Sequence, residues 1–109
     1  MKAGFLTEIE KIEVKDVGKP EIQHGNEVLL KVCSVGVCGS DLHYYQEGCI
    51  GSSVVKYPFR IGHEFSAKVQ EAGKDVSRLK PGDRVAVDPA VFCRTCDQCR
   101  AGRDNLCRT

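Results

Sequence analysis

Apolar and charged side chains alternate along much of the first ninety residues, and this two-residue period predicts short β-strands. Ile12 and Val14, for example, alternate with charged neighbours in the pattern of a half-buried strand. Residues 28–37 are rich in β-branched side chains, which predicts a more buried strand with Cys33 inside it. The predicted strands lie near residues 11–15, 28–37, 63–73 and 85–87, the last of them after a Pro-Gly-Asp turn.

One segment, residues 40–47, has the character of a short helix. Ser40 is suited to cap its N-terminus, and Asp41 would place a negative charge in its first turn. Several short strands at near-regular spacing predict an all-β barrel or sandwich around it. We therefore expect a mainly β domain with one short helix.

Composition places the chain among ordinary globular proteins. Its 109 residues suffice for one domain, and 41% hydrophobic and 28% charged residues are typical of a folded chain. A net charge of +1 argues against a nucleic-acid or membrane-surface partner, because such proteins carry a basic excess. The sequence has no long apolar run and no apolar signal-peptide core near its N-terminus, so we expect a cytoplasmic protein without a membrane partner.

Seven cysteines are the one unusual feature of the composition. An odd number without an export signal disfavours a disulfide framework. Four of them, with gaps of two, two and seven residues, share one short segment: Cys93, Cys96, Cys99 and Cys107. Two-residue gaps let successive sulfurs face one ion, and four ligands leave no place for water, as in structural zinc sites. Oxidation-prone free cysteines and a rubredoxin-like iron site are the alternatives. Cys33 and Cys49 have no predicted role.

A second group of metal-binding side chains comes from two separate places in the sequence. Cys38 follows the strand predicted at residues 28–37, and His63 lies twenty-five residues later beside Glu64. One thiolate, one imidazole and one carboxylate leave a coordination position open, as catalytic zinc requires. Taken singly, each residue also fits a structural role, such as Cys38 as a small core side chain.

Together and in this order, these segments resemble the N-terminal part of the zinc-containing medium-chain alcohol dehydrogenases. The resemblance rests on Gly62-His63-Glu64 with Gly73 and Val76 downstream, on residues 36–43, on residues 79–85 and on the cysteine spacing. Ala67 stands where the family signature has glycine, at a position that is not a ligand. Within the family, residues 39–45, 51–58 and 102–107 are most similar to the polyol dehydrogenases that act on sorbitol or xylitol.

The resemblance implies a GroES-like (chaperonin-10-like) partial β-barrel with a short helix and a zinc-binding lobe. Residues 1–109 would be the N-terminal part of the catalytic domain, with the lobe at residues 93–107. No Gly-x-Gly-x-x-Gly motif follows a strand, so the Rossmann domain that binds NAD or NADP would be absent from this chain. The complete enzyme would oxidise a secondary alcohol to a ketone as a homotetramer or homodimer, and this chain alone would be inactive.

The same resemblance implies two zinc ions with separate ligand sets. Cys38, His63 and Glu64 would hold the catalytic ion, and the four clustered cysteines the structural one. Asp41 would orient the imidazole of His63. Ser40 would hydrogen-bond the substrate hydroxyl and pass its proton outward.

Two further residues of the predicted helix have implied roles. His43 would continue the proton relay to solvent, and Tyr45 would line the substrate pocket. Each also has a structural alternative, His43 as a surface residue and Tyr45 as a core residue, while Ser40 and Asp41 are alternatively helix caps.

Three other functions remain open at this point. Threonine dehydrogenase-like members of the family tend to carry threonine at the position of Ser40. A zinc-ribbon module for nucleic acid or protein would hold one zinc, but the arginines near the cysteines are balanced by thiolates. A co-chaperonin-like subunit would share the barrel and hold no metal.

Overall fold

Eight short strands and two helices make up the computed structural model, which describes all residues from Met1 to Thr109. The strands are β1 (Lys2–Glu8), β2 (Lys11–Asp16), β3 (Val28–Val35), β4 (Cys49–Ile50), β5 (Ser53–Val54), β6 (Phe59–Arg60), β7 (Phe65–Ala72) and β8 (Arg84–Val87). The helices are α1 (Gly39–Glu47) and α2 (Asp97–Arg100), and a 3-10 turn follows at Asp104–Leu106. No helix of the chain combines the length and the apolar character that a membrane crossing demands.

The strands form three small antiparallel sheets. Their orders are β2-β1-β6, β3-β7-β8 and β4-β5. The sheets are not closed into a barrel, and β3 and β8 are the free edges of the second sheet. The prediction of a mainly β fold with the form of a partial barrel is confirmed.

The molecule is a thin layer with a small core. Its extents are 41 × 38 × 22 Å, and its radius of gyration is 16.3 Å. A compact domain of this length has a radius of about 13 Å. Among the apolar side chains, Leu6 of β1 and Ala67 and Val69 of β7 are the buried ones. The apolar core within residues 1–109 is therefore small.

The predicted burial of β2 is wrong. Ile12 is 49% and Val14 68% exposed, whereas Glu13 is half-buried. β2 is an edge strand that pairs only with β1, so its side chains have a neighbouring strand on one side only. The alternation of the sequence correctly indicated a strand but not how much of it is buried.

The predicted burial of β3 is also wrong. The strand ends at Val35 rather than at residue 37, and its residues from Lys31 to Val35 are exposed. The ladder with β7 is interrupted between Val32 and Ser34, so Cys33 has no partner in the register and is exposed. An unpaired outer edge together with this bulge explains the exposure.

Helix α1 agrees with the predicted segment, but its cap does not. Cys38, rather than Ser40, is the residue that precedes the first helical position. Its backbone N–H donates to the Asp41 carboxylate at 3.1 Å, so Asp41 at the third helical position acts as the capping group. The helix ends at Gly48, whose left-handed conformation (φ 71°) favours glycine.

Two loops meet at glycines that leave no room for a side chain. The N–H of Gly73 donates to the carbonyl of Glu27 at 2.9 Å, and the N–H of Asp75 donates to the carbonyl of Gly25 at 2.8 Å. A Cβ atom on Gly73 would overlap the backbone carbonyl of Gly25. Because the obstacle is backbone on a paired loop, it cannot move aside cheaply.

Gly73→Ala is expected to destabilise the fold by about 1–3 kcal/mol, the usual range for overpacking. At about 4–8 °C per kcal/mol for a domain of this size, thermal unfolding resolves this effect. Gly18→Ala is the matched control, because nothing lies within 4 Å of its new Cβ and its backbone is not left-handed. Equal melting temperatures for the two variants would contradict the close approach.

Candidate metal centres

The pairing of β3 with β7 brings Cys38 and His63 together. The strands are antiparallel, so the end of β3 lies beside the start of β7. The N–H of Gly36 extends this pairing by donating to the carbonyl of Glu64 at 2.7 Å. Cys38 follows the first strand and His63 precedes the second, so residues far apart in sequence become neighbours.

Cys38, His63 and Glu64 form a cluster of three possible metal ligands. One ligand atom from each lies within 4.8 Å of the other two. Cys38 and His63 are half-buried and Glu64 is exposed, so the cluster faces solvent on one side. A sulfur, a nitrogen and an oxygen donor suit zinc, and three protein ligands leave its fourth position open.

Asp41 connects the two segments that carry these ligands. Its carboxylate accepts hydrogen bonds from the N–H of Cys38 at 3.1 Å and from the N–H of Gly62 at 3.2 Å. The same carboxylate lies 3.4 Å from Nδ1 of His63. Asp41 is only 5% exposed, and these contacts satisfy a polar group that would otherwise be costly to bury.

The two nitrogens of the His63 ring face different partners. Nδ1 faces the Asp41 carboxylate, while Nε2 lies 3.5 Å from the hydroxyl of Ser40. A carboxylate acceptor favours the tautomer with the proton on Nδ1. Nε2 is then left with a free lone pair, and the Ser40 hydroxyl stands on that side of the ring.

His43 and Tyr45 lie on α1 but in other surroundings. His43 is exposed, and its Nδ1 lies 3.4 Å from a carboxylate oxygen of Glu47, one helical turn away. Tyr45 lines an apolar cavity of about 310 Å³ together with Leu42, Ile61 and the backbone at Gly62. Neither residue belongs to the ligand cluster, so the roles predicted for them remain predictions.

The four clustered cysteines form the second centre. All are free thiols, and their sulfur atoms lie within 4.8 Å of one another. The sulfurs of Cys93 and Cys99 are 3.9 Å apart. Four sulfurs at 2.3 Å around a tetrahedral zinc are about 3.8 Å apart, so the observed arrangement fits that ion.

Backbone N–H groups of the lobe point at its sulfurs. Cys96 donates to the sulfur of Cys93 at 3.4 Å, Cys99 to that of Cys96 at 3.5 Å, and Cys93 to that of Cys107 at 3.4 Å. The sulfur of Cys96 thereby caps α2. Between Cys99 and Cys107 the chain turns at Gly102, which has the left-handed conformation (φ 71°).

The surroundings of three of these thiols shift their pKa values in different directions. Hydrogen bonds, first from the backbone of Thr95, lower the pKa of Cys93 to about 5. The backbone N–H of Cys93 likewise lowers the pKa of Cys107. Burial raises the pKa of Cys99 to about 12. Burial thus disfavours the thiolate form of Cys99, whereas hydrogen bonds favour that form of Cys93 and Cys107.

An ion pair across the lobe was not predicted from the sequence. The guanidinium of Arg108 donates two hydrogen bonds to the carboxylate of Asp97, at 2.6 and 2.9 Å, and lowers the pKa of that carboxyl. It ties the end of the cysteine segment to the start of α2. The two residues are eleven positions apart in an irregular segment, so no periodic pattern links them.

A comparison with known protein families agrees with the fold. Residues 24–109 match the model of the alcohol dehydrogenase GroES-like domain. The matched range includes the three-residue cluster and all four lobe cysteines.

Similar proteins are dehydrogenases and reductases. Sorbitol dehydrogenase of Bacillus subtilis is 48% identical over 98% of this chain, which covers 30% of that protein. D-xylulose reductase A of Aspergillus niger is 44% identical over 95% of this chain, which covers 29% of that protein. The chain therefore spans just under a third of the length of these relatives.

A solved structure shows the same architecture. The alcohol dehydrogenase of Thermus sp. ATN1 superimposes with a TM-score of 0.82 at 36% identity, over 99% of this chain and 30% of that one. The resemblance noted in the sequence is thus confirmed at the level of fold and family. This chain belongs to the alcohol dehydrogenase GroES-like domain family.

Proposed function

We propose that this chain is the zinc- and substrate-binding N-terminal part of a zinc-dependent polyol dehydrogenase of the sorbitol or xylitol type. The complete enzyme oxidises a secondary alcohol to a ketone with NAD or NADP. The observation that carries the proposal is the cluster of Cys38, His63 and Glu64, which joins three ligand types at an open surface. The relatives named for sorbitol and xylulose support the substrate class.

The two clusters have different chemical tasks in this proposal. Four sulfurs from one local segment close the coordination of a structural zinc. Cys38, His63 and Glu64 would hold a second zinc, with the thiolate and the carboxylate offsetting its two charges. The ion would supply Lewis-acid chemistry that lowers the pKa of a hydroxyl.

The chain's own residues position the reactants around this site. Asp41 engages Nδ1 of the His63 ring, which leaves Nε2 as the nitrogen free to bind a metal. The Ser40 hydroxyl, 3.5 Å from that nitrogen, lies where it can accept the proton of a substrate alcohol. His43, exposed beside Glu47, continues the path to solvent, and Tyr45 contributes to the wall that holds the substrate's carbon chain.

The remaining parts of the proposal concern the complete protein. Residues 1–109 form the N-terminal part of its catalytic domain, and a Rossmann domain outside this chain supplies the nicotinamide cofactor. The complete enzyme is a cytoplasmic homotetramer or homodimer. This chain alone holds neither the cofactor nor the opposite wall of the substrate cleft, so it is inactive by itself.

Steady-state assays of the complete, zinc-loaded protein test the reaction. We expect reduction of NAD or NADP with sorbitol or xylitol, because a polyol presents a secondary hydroxyl beside further hydroxyls that polar groups can bind. L-Threonine and a primary alcohol are the comparison substrates. Efficient turnover of threonine without turnover of any polyol would contradict the proposal and favour the threonine dehydrogenase-like alternative.

Serine substitutions separate the tasks of the two centres. Cys38→Ser and Cys96→Ser each remove one ligand, yet serine is a good cap for the helix that follows either residue. Cys38→Ser is expected to lower turnover by more than about 100-fold. Replacing a residue that only hydrogen-bonds a metal ligand already lowers metal affinity or activity about 10–100-fold, and Cys38 is itself a ligand. Its melting temperature should change little.

Cys96→Ser is expected to act through stability instead. Structural zinc contributes on the order of 10 kcal/mol of folding free energy in small zinc modules, so the lobe should loosen or aggregate. Thermal melts and turnover numbers of both variants provide the measurement. The two sites are assigned in reverse if Cys38→Ser unfolds the protein while Cys96→Ser melts normally and lacks activity.

Asp41→Asn tests the link between the ligand segments. An amide nitrogen cannot accept from an N–H, so one of the bonds to Cys38 and Gly62 is lost and the His63 ring is less constrained. Competition with a chromophoric chelator should show zinc affinity of the open site reduced about 10–100-fold. The four-cysteine site should keep its affinity.

Asp16→Asn provides the matched control, because Asp16 is an exposed aspartate whose one ion pair is with Lys2 on the surface. It should leave both zinc affinities unchanged. Equal weakening of the two zinc sites in Asp41→Asn would indicate a general loss of folding, against a role in positioning.

A further inference from the structure

One face of the β3-β7-β8 sheet carries three cations in a single row. In the registers of the ladders, Lys31 is directly opposite Lys68, and Lys68 is directly opposite Arg84. All three are exposed, whereas Ala67 and Val69 on the other face of β7 are buried. The row thus crosses the whole sheet on its solvent side.

This row is electrostatically unfavourable. Neighbouring strands are about 4.8 Å apart, so the three side chains start within about 10 Å of one another. Like charges directly opposite each other in a ladder destabilise it. No carboxylate lies within ion-pair distance of any of the three.

In the first sheet, by contrast, the strand lysines form ion pairs. Each lysine of β1 and β2 has a carboxylate within 3.1 Å: Lys2 pairs with Asp16, Lys11 with Glu8, and Lys15 with Glu13. Every lysine in β1 and β2 therefore has an acidic partner, whereas no acidic side chain pairs with the row on the second sheet. The three cations of the row thus have no countercharge within ion-pair distance in this chain.

Small polar residues adjoin the row. Ser34 is opposite Ser66, and Ser66 is opposite Ala86, one step further along the same face. Their short side chains leave a depression of about 550 Å³ lined also by Lys68 and Arg84. Ammonium, guanidinium and hydroxyl groups are all hydrogen-bond donors, so the depression presents donors and positive charge to a ligand.

We propose that this face of the β3-β7-β8 sheet binds a phosphate-type anion, either free or carried on a small organic molecule. Its charge offsets the repulsion along the row, and its oxygens accept charge-assisted hydrogen bonds from Lys68 and Arg84 and neutral ones from the serines. None of these residues belongs to either metal-ligand cluster. The site therefore does not depend on the proposed dehydrogenase reaction, whose polyol substrate is uncharged.

Isothermal titration calorimetry of the complete, zinc-loaded protein at low salt tests the site, with inorganic phosphate and glycerol 3-phosphate as two separate probes. We expect saturable binding. Tighter binding of inorganic phosphate would identify the free anion as the ligand, and tighter binding of glycerol 3-phosphate would identify a phosphate carried on an organic molecule. Lys68→Gln removes the central cation and should weaken binding about 10-fold or more. Lys19→Gln is the control, because Lys19 is an exposed loop lysine without an ion-pair partner.

A second measurement detects the repulsion along the row in the absence of any ligand. In low-salt buffer without phosphate, Lys68→Gln should raise the melting temperature, because it removes repulsion from both neighbours, and Lys19→Gln should not. Added phosphate should then narrow the gap between wild type and Lys68→Gln. The proposal is overturned if neither probe saturates, or if Lys68→Gln binds as tightly as wild type.

Discussion

The contacts of the Asp41 carboxylate hold the open centre together. Cys38 and His63 lie on segments twenty-five residues apart, and a thin fold with a small core gives little packing to align them. Asp41 accepts from the N–H of one segment and from the N–H of the other, and it also faces the imidazole between them. A buried carboxylate needs such donors, so the cost of burying it is met only when both segments are in place. The geometry of the cluster and the seating of helix α1 therefore depend on the same group.

The cysteine lobe is built on the opposite principle. All of its ligands lie within one segment, and its own backbone N–H groups and a left-handed glycine set the positions of the sulfurs. No sheet pairing is needed to assemble it. A closed site of this kind stabilises its surroundings, whereas the open cluster, made from two elements and facing solvent, suits chemistry on a bound molecule. Under the proposed function, the locally built centre serves stability and the centre built from long-range pairing serves reactivity.

Features encoded locally could be predicted from the sequence. Cysteine spacing indicated the lobe, and the segment at residues 40–47 indicated helix α1. Cys38 and His63 are far apart in the sequence, and it was the order of the motifs together with the family resemblance that identified them. Features that depend on neighbours in space could not. The exposure of Ile12 and of Cys33 follows from edge positions and a ladder interruption, which alternation along one strand does not reveal. The cap of α1 was assigned to Ser40 because a serine is a common cap, but the carboxylate at the third helical position made Cys38 the cap residue.

Anomalous diffraction above and below the zinc absorption edge, on crystals of the complete, zinc-loaded protein, shows directly whether one chain holds a closed and an open zinc centre. Two anomalous peaks are expected, one among the four lobe sulfurs and one bonded to Cys38 and to Nε2 of His63. Asp41 should then remain hydrogen-bonded to Nδ1 of that ring. A single peak in the lobe, or a second peak held by residues other than Cys38 and His63, would contradict this arrangement.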